Sequence, residues 1–247
     1  MLKEERQAFI IKQINLHNKV LSSDLSIKLN VSEDTVRRDL NELAESGKIL
    51  KVHGGALSKS FHYPFQAVDV YAKESKKEIA RKVLQLIQDE MVVLVGGGTT
   101  MIEVARMIPD HLSATFFTVS PLVALELVEH PNLNVILIGG QLSKNSHINI
   151  GAQVVNQLSE IRVDLCILGA NGISPEDGVT DSDWEVVQVK KAMIRAAKKT
   201  AIMSISEKLN SNQNMKVCDL SAIHYLVTDT DPDEPALREY KRMLTVL

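Results

Sequence analysis

Three glycines and two threonines follow a candidate strand in a pattern that could hold a phosphate group. The apolar run 91–95 is followed by Gly96, Gly97, Gly98, Thr99 and Thr100, and a helix-like stretch comes next. Glycine lets the backbone approach a ligand closely, and the free N–H groups of a first helical turn attract an anion. The stretch matches neither a dinucleotide-binding fingerprint nor a P-loop. Such a turn on its own is more often structural than a ligand site.

The other candidate strands also end in glycine, small hydroxyl residues or a lysine. Their last residues include Ser120, Gly140, Asn171 and Lys208. Because ligands bind at the carboxyl ends of the strands in a parallel sheet, we expect these residues to line one site with the glycine turn. Lys208 would supply the positive charge that a phosphate needs in an acidic domain. The agreement between five strand ends favours a ligand site.

Strands and helices alternate along the last two thirds of the chain. Runs rich in Val and Ile, separated by helical stretches, predict a doubly wound α/β domain with a mostly parallel sheet that is covered on both faces. The expected strands span residues 91–96, 114–120, 134–140, 163–170, 200–206 and 224–229.

Three short helices are expected within the first 47 residues, because apolar residues recur there at helical spacing. Ser22 or Ser23 is the expected N-cap of the second helix, and Gly47 should end the third. The apolar positions are Phe9, Ile10, Ile14 and Leu16 in the first helix and Leu25, Ile27 and Leu29 in the second.

The third helix, which begins near Ser32, has an apolar face and a polar face. Val36, Leu40 and Leu43 lie at i, i+4 and i+7 and should be buried. A short helix, a tight turn and a capped helix with arginines near its start form a helix-turn-helix, whose second helix reads bases in the major groove. The outer face carries Thr35, Arg37, Arg38 and Asn41.

Arginine and hydroxyl side chains on this outer face suit DNA. Arginine pairs bidentately with guanine, and the hydroxyls of Ser32 and Thr35 can hold phosphates. An alternative of equal weight is that Arg37 and Arg38 form surface ion pairs with carboxylates of the same helix. Those carboxylates are Glu33, Asp34 and Glu42.

A hairpin is expected after the third helix, because two short apolar strands flank a Gly-Gly pair. Its side chains could contact the DNA backbone, or the hairpin could simply pack against the third helix. Hairpin and helices together predict a winged helix. The predicted DNA contacts are Ser22, Ser32, Thr35, Arg37, Arg38, Lys51 and His53.

Bulk composition limits the function classes. Residues 1–60 contain ten basic and eight acidic residues and the rest contain 18 and 23, which permits DNA binding by the N-terminal part without requiring it. No apolar run reaches the roughly 18 residues of a membrane span and no signal peptide is visible, so we expect a cytoplasmic protein without a membrane partner. Cys166, Cys218 and the histidines show no metal-ligand spacing, and no cofactor is expected.

A longer N-terminal pattern suggests a family. Arg6, Ile10 and Ile14 stand at regular spacing, residues 35–40 read TVRRDL, and residues 51–57 read KVHGGAL. This pattern resembles the DeoR family of bacterial transcriptional regulators. The resemblance implies that both arginines of the TVRRDL run contact operator DNA.

The resemblance extends over nearly the whole chain and implies its domain organisation. We predict a winged-helix domain over residues 1–57 and an effector-sensing and oligomerisation domain over 74–247. Residues 58–73, which have no clear period and contain a proline, are interpreted as a linker. The matches in the C-terminal part are Lys76, Ile79, Ala80, Gly98, Thr99, Thr100, Gly139, Gly140, Asp164, Gly169, Gly172, Lys190, Ala192, Met193, Ser206 and Lys208.

The family's sensor domain is similar to ribose-5-phosphate isomerases, which implies a phosphorylated sugar or a related metabolite as effector. At two positions where the family usually carries an aspartate, this chain has Gly96 and Ile205. An aspartate in such a site would grip sugar hydroxyls, so its loss favours a smaller ligand, a differently shaped one, or one with fewer hydroxyls. The predicted effector contacts are Lys76, Gly97, Gly98, Thr99, Thr100, Ser120, Gly140, Asn171, Lys190 and Lys208.

An enzyme is the main rival to a sensor. Aldose–ketose isomerisation needs a general base, and the stretch 168–172 offers only Asn171 where related isomerases carry carboxylates. Asp181, Asp183 or Glu185 could supply one, although Asp181 or Asp183 would also serve as a helix cap. We therefore expect a ligand-controlled repressor, a homodimer or homotetramer on operator DNA. An isomerase-like enzyme fused to a DNA-binding domain, and an architectural DNA-binding protein, remain alternatives.

Overall fold

The chain folds into two compact units, Met1–Tyr71 and Ala72–Leu247. The computed structural model describes residues 1–17, 19–58 and 71–247. Each unit has its own apolar core, which for the N-terminal unit includes Ile10, Leu25 and Leu40. Most of the predicted linker 58–73 lies outside the described residues.

The N-terminal unit consists of three helices and a three-stranded antiparallel sheet with the order β1-β3-β2. This is the predicted winged helix. Its elements are α1 Lys3–His17, β1 Lys19–Leu21, α2 Ser22–Leu29, α3 Glu33–Glu45, β2 Leu50–Val52 and β3 Gly55–Leu57.

The turn between α2 and α3 is closed by local hydrogen bonds. Asn30 ends α2 in the left-handed conformation with a φ of 53°, and the N–H of Val31 donates to the Ser26 carbonyl at 3.2 Å. Ser32 is the N-cap of α3 and accepts the Thr35 N–H at 3.3 Å, as its position before two carboxylates suggests.

The expected N-cap of α2 was wrong. The N-cap position is Leu21 without a side-chain cap, and Ser22 is the first helical residue and is buried. Ile27 is 80% exposed, because the buried face of this short helix runs through Leu25 and Leu29 at i and i+4.

Strand β1 was not expected, and it explains one glycine of the hairpin. Only Gly54 has a positive φ, at 75°, whereas Gly55 already belongs to β3 and pairs with Leu21. A Cβ at Gly55 would lie 2.0 Å from the Val20 carbonyl oxygen, so the close approach of β1 requires glycine there.

A buried ion pair joins α1 to α3. Arg6 Nε and Nη2 lie 2.5 Å and 3.1 Å from the two carboxylate oxygens of Asp39. The side chain of Asp39 is 2% exposed and that of Arg6 is 14% exposed. The pair holds α1 against the inner face of α3. The outer face of α3 carries Arg37 and Arg38.

The C-terminal unit is built around a seven-stranded sheet with the order β15-β14-β12-β9-β4-β5-β6, in which every pairing is parallel. The prediction of a doubly wound, mostly parallel α/β domain is confirmed. Its strands are β4 Val92–Val95, β5 Ala114–Thr118, β6 Leu133–Leu137, β9 Val163–Gly169, β12 Ala197–Met203, β14 Tyr225–Val227 and β15 Thr245–Val246.

The helices of this unit lie between the strands, largely as expected from the sequence. They are α4 Lys73–Leu84, α5 Thr99–Arg106, α6 Pro121–Leu127, α7 Ala152–Ser159, α8 Trp184–Ala196 and α9 Arg238–Lys241. Among the residues that the structure describes, no helix combines the length and the apolar composition that crossing a membrane requires.

Five short strands outside the main sheet were not expected. A hairpin pairs β7 Gln141–Leu142 with β8 Asn149–Ile150, and a second antiparallel sheet has the order β10-β11-β13. Strands of two to four residues are too short for a recognisable alternation. The second sheet consists of β10 Gly172–Ser174, β11 Gly178–Asp181 and β13 Met215–Cys218.

The order of the strands reverses at β4, because β5 lies on one side of it and β9 on the other. In open α/β sheets the crevice outside the carboxyl ends of the strands at such a reversal is the usual ligand site. The glycine turn follows β4, and Ala170 and Asn171 follow β9, so both stretches border this crevice.

We predict that Asp39→Asn lowers the free energy of unfolding of the N-terminal unit by about 3 kcal/mol, because it leaves a buried arginine without its counter-charge. Urea unfolding followed by circular dichroism measures the loss. Glu42→Gln is the matched control on the same helix, because Glu42 pairs with Lys3 at the surface. Equal losses in the two variants would contradict a structural role for the buried pair.

Candidate functional site

The two arginines of α3 differ in their surroundings. Arg37 lies 3.4 Å from Glu33 and 3.4 Å from Asp34, so it forms the surface ion pairs of the alternative interpretation. Glu42 binds Lys3 and Gln7 instead of an arginine. Within the ranges that the structure describes, Arg38 is exposed and has no ion pair. Arg38 is therefore the more available of the two.

The other predicted DNA contacts also occupy different positions. Ser32 and Thr35 are joined by their hydroxyls, 2.9 Å apart, at the N-terminus of α3. Lys51 projects from β2 and donates to Asn41 of α3, and His53 is exposed in the hairpin turn. Ser22 is only 5% exposed, so its burial inside the unit contradicts a DNA contact.

The glycine turn after β4 takes the expected shape. Gly98 is the N-cap residue of α5 with a φ of 103°, a conformation that L side chains rarely adopt. Thr99 and Thr100 form the first helical turn, and no side chain caps it. The N–H groups of this turn, which follows β4 at the border of the crevice, are therefore possible anion donors.

Three of the predicted contacts are explained by packing. A Cβ at Gly97 would lie 2.6 Å from Ile148 Cγ2, and a Cβ at Gly140 would lie 2.4 Å from Val154 Cγ2. Ser120 is buried as the N-cap of α6, and its hydroxyl lies 3.4 Å from the His147 carbonyl. These residues shape the crevice without presenting a polar side chain to a ligand.

An ion pair lies at the end of β9. Lys190 Nζ, which projects from α8, donates to Asp181 Oδ2 at 2.7 Å and to the Gly169 carbonyl at 2.8 Å. Asp181 also accepts the Asn171 side-chain amide at 2.9 Å and the Ser182 N–H at 2.7 Å. Burial opposes ionisation of Asp181, but the lysine and these hydrogen bonds hold its pKa below the ordinary value.

Two further lysines lie near this pair. Lys208 Nζ donates to the Ala170 carbonyl at 3.4 Å, and burial together with the charges of Lys76 and Lys190 lowers its pKa to about 7. Burial lowers the pKa of Lys76 to about 8, although the carboxylate of Glu103 opposes that shift. The resemblance had suggested Lys76 and Lys190, and the strand ends had also suggested Lys208. The structure brings the three lysines within electrostatic reach of each other.

Of the two candidate caps, Asp183 is the N-cap of α8, as expected, whereas Asp181 is not a cap and binds Lys190. Sequence reasoning missed this role of Asp181 and the role of one further carboxylate. Asp229, which follows β14, accepts the Ser206 N–H at 2.6 Å and so holds the segment that carries Lys208. The sequence held a signal for Asp229, because it is the last residue of the expected strand 224–229 and could have been included with the other strand ends.

Metal ligands do not converge in the part of the chain that the structure describes. No group of three or more His, Cys, Asp or Glu side chains there has the proximity that a metal ion needs. The polar groups around the crevice include backbone N–H groups, hydroxyls and three lysines, which are donors suited to an anion, and the carboxylate of Asp181 is already bound by Lys190.

Comparison with known proteins covers both units. The family model of the DeoR-like helix-turn-helix domain matches residues 6–61, and that of the DeoR C-terminal sensor domain matches residues 72–230. A ribose 5-phosphate isomerase A structure from Methanocaldococcus jannaschii covers 56% of this chain and 54% of its own, with 16% identity and a TM-score of 0.42. That similarity is too low to add to what the strand order shows.

Two curated relatives match over almost the whole chain. The HTH-type transcriptional repressor GlcR of Bacillus subtilis is 32% identical over 95% of this chain and 91% of its own length. The Glycerol-3-phosphate regulon repressor of Escherichia coli is 30% identical over 94% of this chain and 93% of its own length. With both units matched, the chain belongs to the DeoR family of transcriptional regulators, which join a DNA-binding helix-turn-helix domain to a sensor domain.

Proposed function

We propose that this regulator represses a carbohydrate-metabolism operon and that an intracellular phosphorylated sugar or related metabolite controls it. The cluster of Lys76, Lys190 and Lys208 around the end of β9 carries this proposal. The names of the Bacillus and Escherichia relatives, both repressors and one of a glycerol-3-phosphate regulon, support it.

The charges around the crevice favour an anionic effector. Lys190 is paired with Asp181, and Lys76 has Glu103 within electrostatic reach. Lys208 has a carbonyl as its hydrogen-bond partner, and no carboxylate lies within ion-pair distance of it among the described residues. A phosphate would supply the missing negative charge, and the N–H groups at the start of α5 would bind its remaining oxygens.

The same geometry argues for binding without turnover. Isomerisation of a sugar phosphate requires a carboxylate that can accept a proton from carbon. Asp181 is 1% exposed and bound to Lys190, and its depressed pKa makes it a weak base. Asn171 cannot act as a base. We therefore propose a sensor that does not catalyse isomerisation.

The DNA-binding unit is proposed to act through α3 and the hairpin. Arg38 would read a base edge near the start of the recognition helix, while Ser32, Thr35, Lys51 and His53 would position the unit on phosphates. Arg37 could leave its surface ion pairs at little cost, because exposed pairs of this kind contribute little stability. One winged helix reads few bases, so we propose a dimer or tetramer on repeated half-sites.

We predict that Arg38→Ala weakens binding to the DNA upstream of the protein's own gene by about 5- to 150-fold, which corresponds to about 1–3 kcal/mol for a lost base contact. Arg37→Ala should have a smaller effect, because its side chain starts from competing ion pairs. Fluorescence anisotropy measures both. Arg81→Ala, an exposed arginine of the sensor unit, is the control for lost charge. An Arg38→Ala affinity no different from the control would remove Arg38 from the interface.

We predict that a phosphate ester binds more weakly as the pH rises from 7 to 9 and that the matching free sugar does not compete. Lys208 carries its proton below its pKa of about 7 and loses it above that pH, whereas a phosphate monoester, with a second pKa of about 6, stays dianionic. Fluorescence of Trp184, the single tryptophan, which is 60% exposed at the start of α8, reports binding of each sugar phosphate tested.

Lys208→Met should weaken binding of the phosphate ester and remove the loss of affinity near pH 7. A loss of affinity near pH 8, where Lys76 titrates, should remain. Lys198→Met is the matched control, because Lys198 lies near the opposite end of β12 and is exposed. Affinity that is independent of pH, or unchanged by Lys208→Met, would place the effector site elsewhere.

A further inference from the structure

An exposed apolar cluster lies at one edge of the sensor unit. The unit has seven exposed large apolar side chains, of which Trp184 and Met243 lie outside this cluster. Five of the seven fall within residues 125–142, on α6 and its C-cap residue, on β6 and on β7, with exposed fractions between 37% and 58%. Those five are Leu125, Val128, Ile136, Leu137 and Leu142.

The strand at the centre of this cluster has an open side. β6 is the last strand of the sheet and pairs only with β5 among the described strands. Ile136 and Leu137 are successive residues, so their side chains point to opposite faces of the sheet. Both are exposed, which means that neither face of β6 is fully covered. A strand of a parallel sheet is normally buried on both faces.

The edge also lacks the usual protection against pairing. Residues 131–143 contain no Asp, Glu, Lys, Arg or His. Exposed edge strands are normally blunted by charged side chains or by being very short. β6 has five residues, whereas β15, at the opposite edge, has two. The composition of β6 fits an edge that is covered in the working protein.

We propose that a second copy of this chain covers the edge, with β6 of the two copies paired antiparallel about a two-fold axis. An antiparallel strand pair of identical segments is self-complementary, as a symmetric dimer requires. Residues 72–247 carry 18 basic and 22 acidic side chains, a net charge of 18 − 22 = −4, whereas residues 131–143 carry no charge, so two copies can meet at this edge without charge repulsion. The proposal rests on the proposed function, because reading repeated half-sites requires two copies.

The pairing would satisfy both the backbone and the apolar side chains. With the axis at Val135, Leu133 of one copy faces Leu137 of the other, and the outward N–H and C=O groups of β6 gain partners. The sheet would continue from one copy into the next. The helix α6 of each copy would bring Leu125 and Val128 to the same boundary and remove them from water.

Sedimentation velocity of the full chain without DNA or effector tests the proposal. Ile136→Lys with Leu137→Lys should halve the assembly, from dimer to monomer of 27.4 kDa or from tetramer to dimer, at concentrations where the unmodified protein is assembled. Met243→Lys, which places a lysine at another exposed apolar position, should leave the mass unchanged. An unmodified protein that is monomeric, or a double variant that stays fully assembled, would overturn the proposal.

If circular dichroism shows that the double variant does not fold, a cross-link tests the pairing of β6 instead. Val135→Cys, in a Cys218→Ser background, should form an intermolecular disulfide, because the two copies of residue 135 face each other across the axis. Asn132→Cys should not, because it lies beyond the strand. Absence of the disulfide at position 135 would overturn the edge pairing. Operator and effector binding are separate measurements, so a failed assembly and a failed regulatory function can be told apart.

Discussion

The burial of lysine side chains at the end of β9 is the constraint on which the sensor unit depends. Lys190 binds Asp181 and a backbone carbonyl. Burial, together with the nearby charges of Lys76 and Lys190, lowers the pKa of Lys208. Placing the charge of Lys208 in this desolvated position, where its hydrogen-bond partner is a carbonyl, costs free energy, which stable cores avoid. Such a cost is typical of a binding site, where the ligand provides the missing charge.

The parallel sheet makes this arrangement possible, because it brings distant segments to one edge. Lys76 comes from α4, Asp181 from β11, Lys190 from α8 and Lys208 from the segment after β12. A ligand bound there can shift an equilibrium only if it binds one state better than another. The proposed β6 edge lies two strands from β4 in the same sheet. An effector that moves the β4 turn could therefore change how two copies pair, which would couple the site to DNA.

Local sequence patterns predicted most of the fold, and contacts between distant segments explain the rest. The alternation of strands and helices and the buried face of α3 were visible because they depend on periodicity. The pairing of Arg6 with Asp39 was not, since the partners lie 33 residues apart. Asp181 follows the pattern of a helix cap, and only its three-dimensional neighbours show that it binds Lys190. Glycines also gave an ambiguous signal, because Gly140 is required by packing against α7.

The family's usual aspartate before the Gly-Thr-Thr run is Gly96 in this chain, and its neighbours indicate what the change means. A Cβ at Gly96 would lie 3.1 Å from Leu168 Cδ2, and Leu168 is 1% exposed. An aspartate at this position would therefore require the tip of the Leu168 side chain to shift slightly. In the proposed site no carboxylate at this position grips hydroxyl groups, so more of the affinity would come from the lysines. We expect the charge of the effector, more than its pattern of hydroxyls, to decide what the proposed site binds.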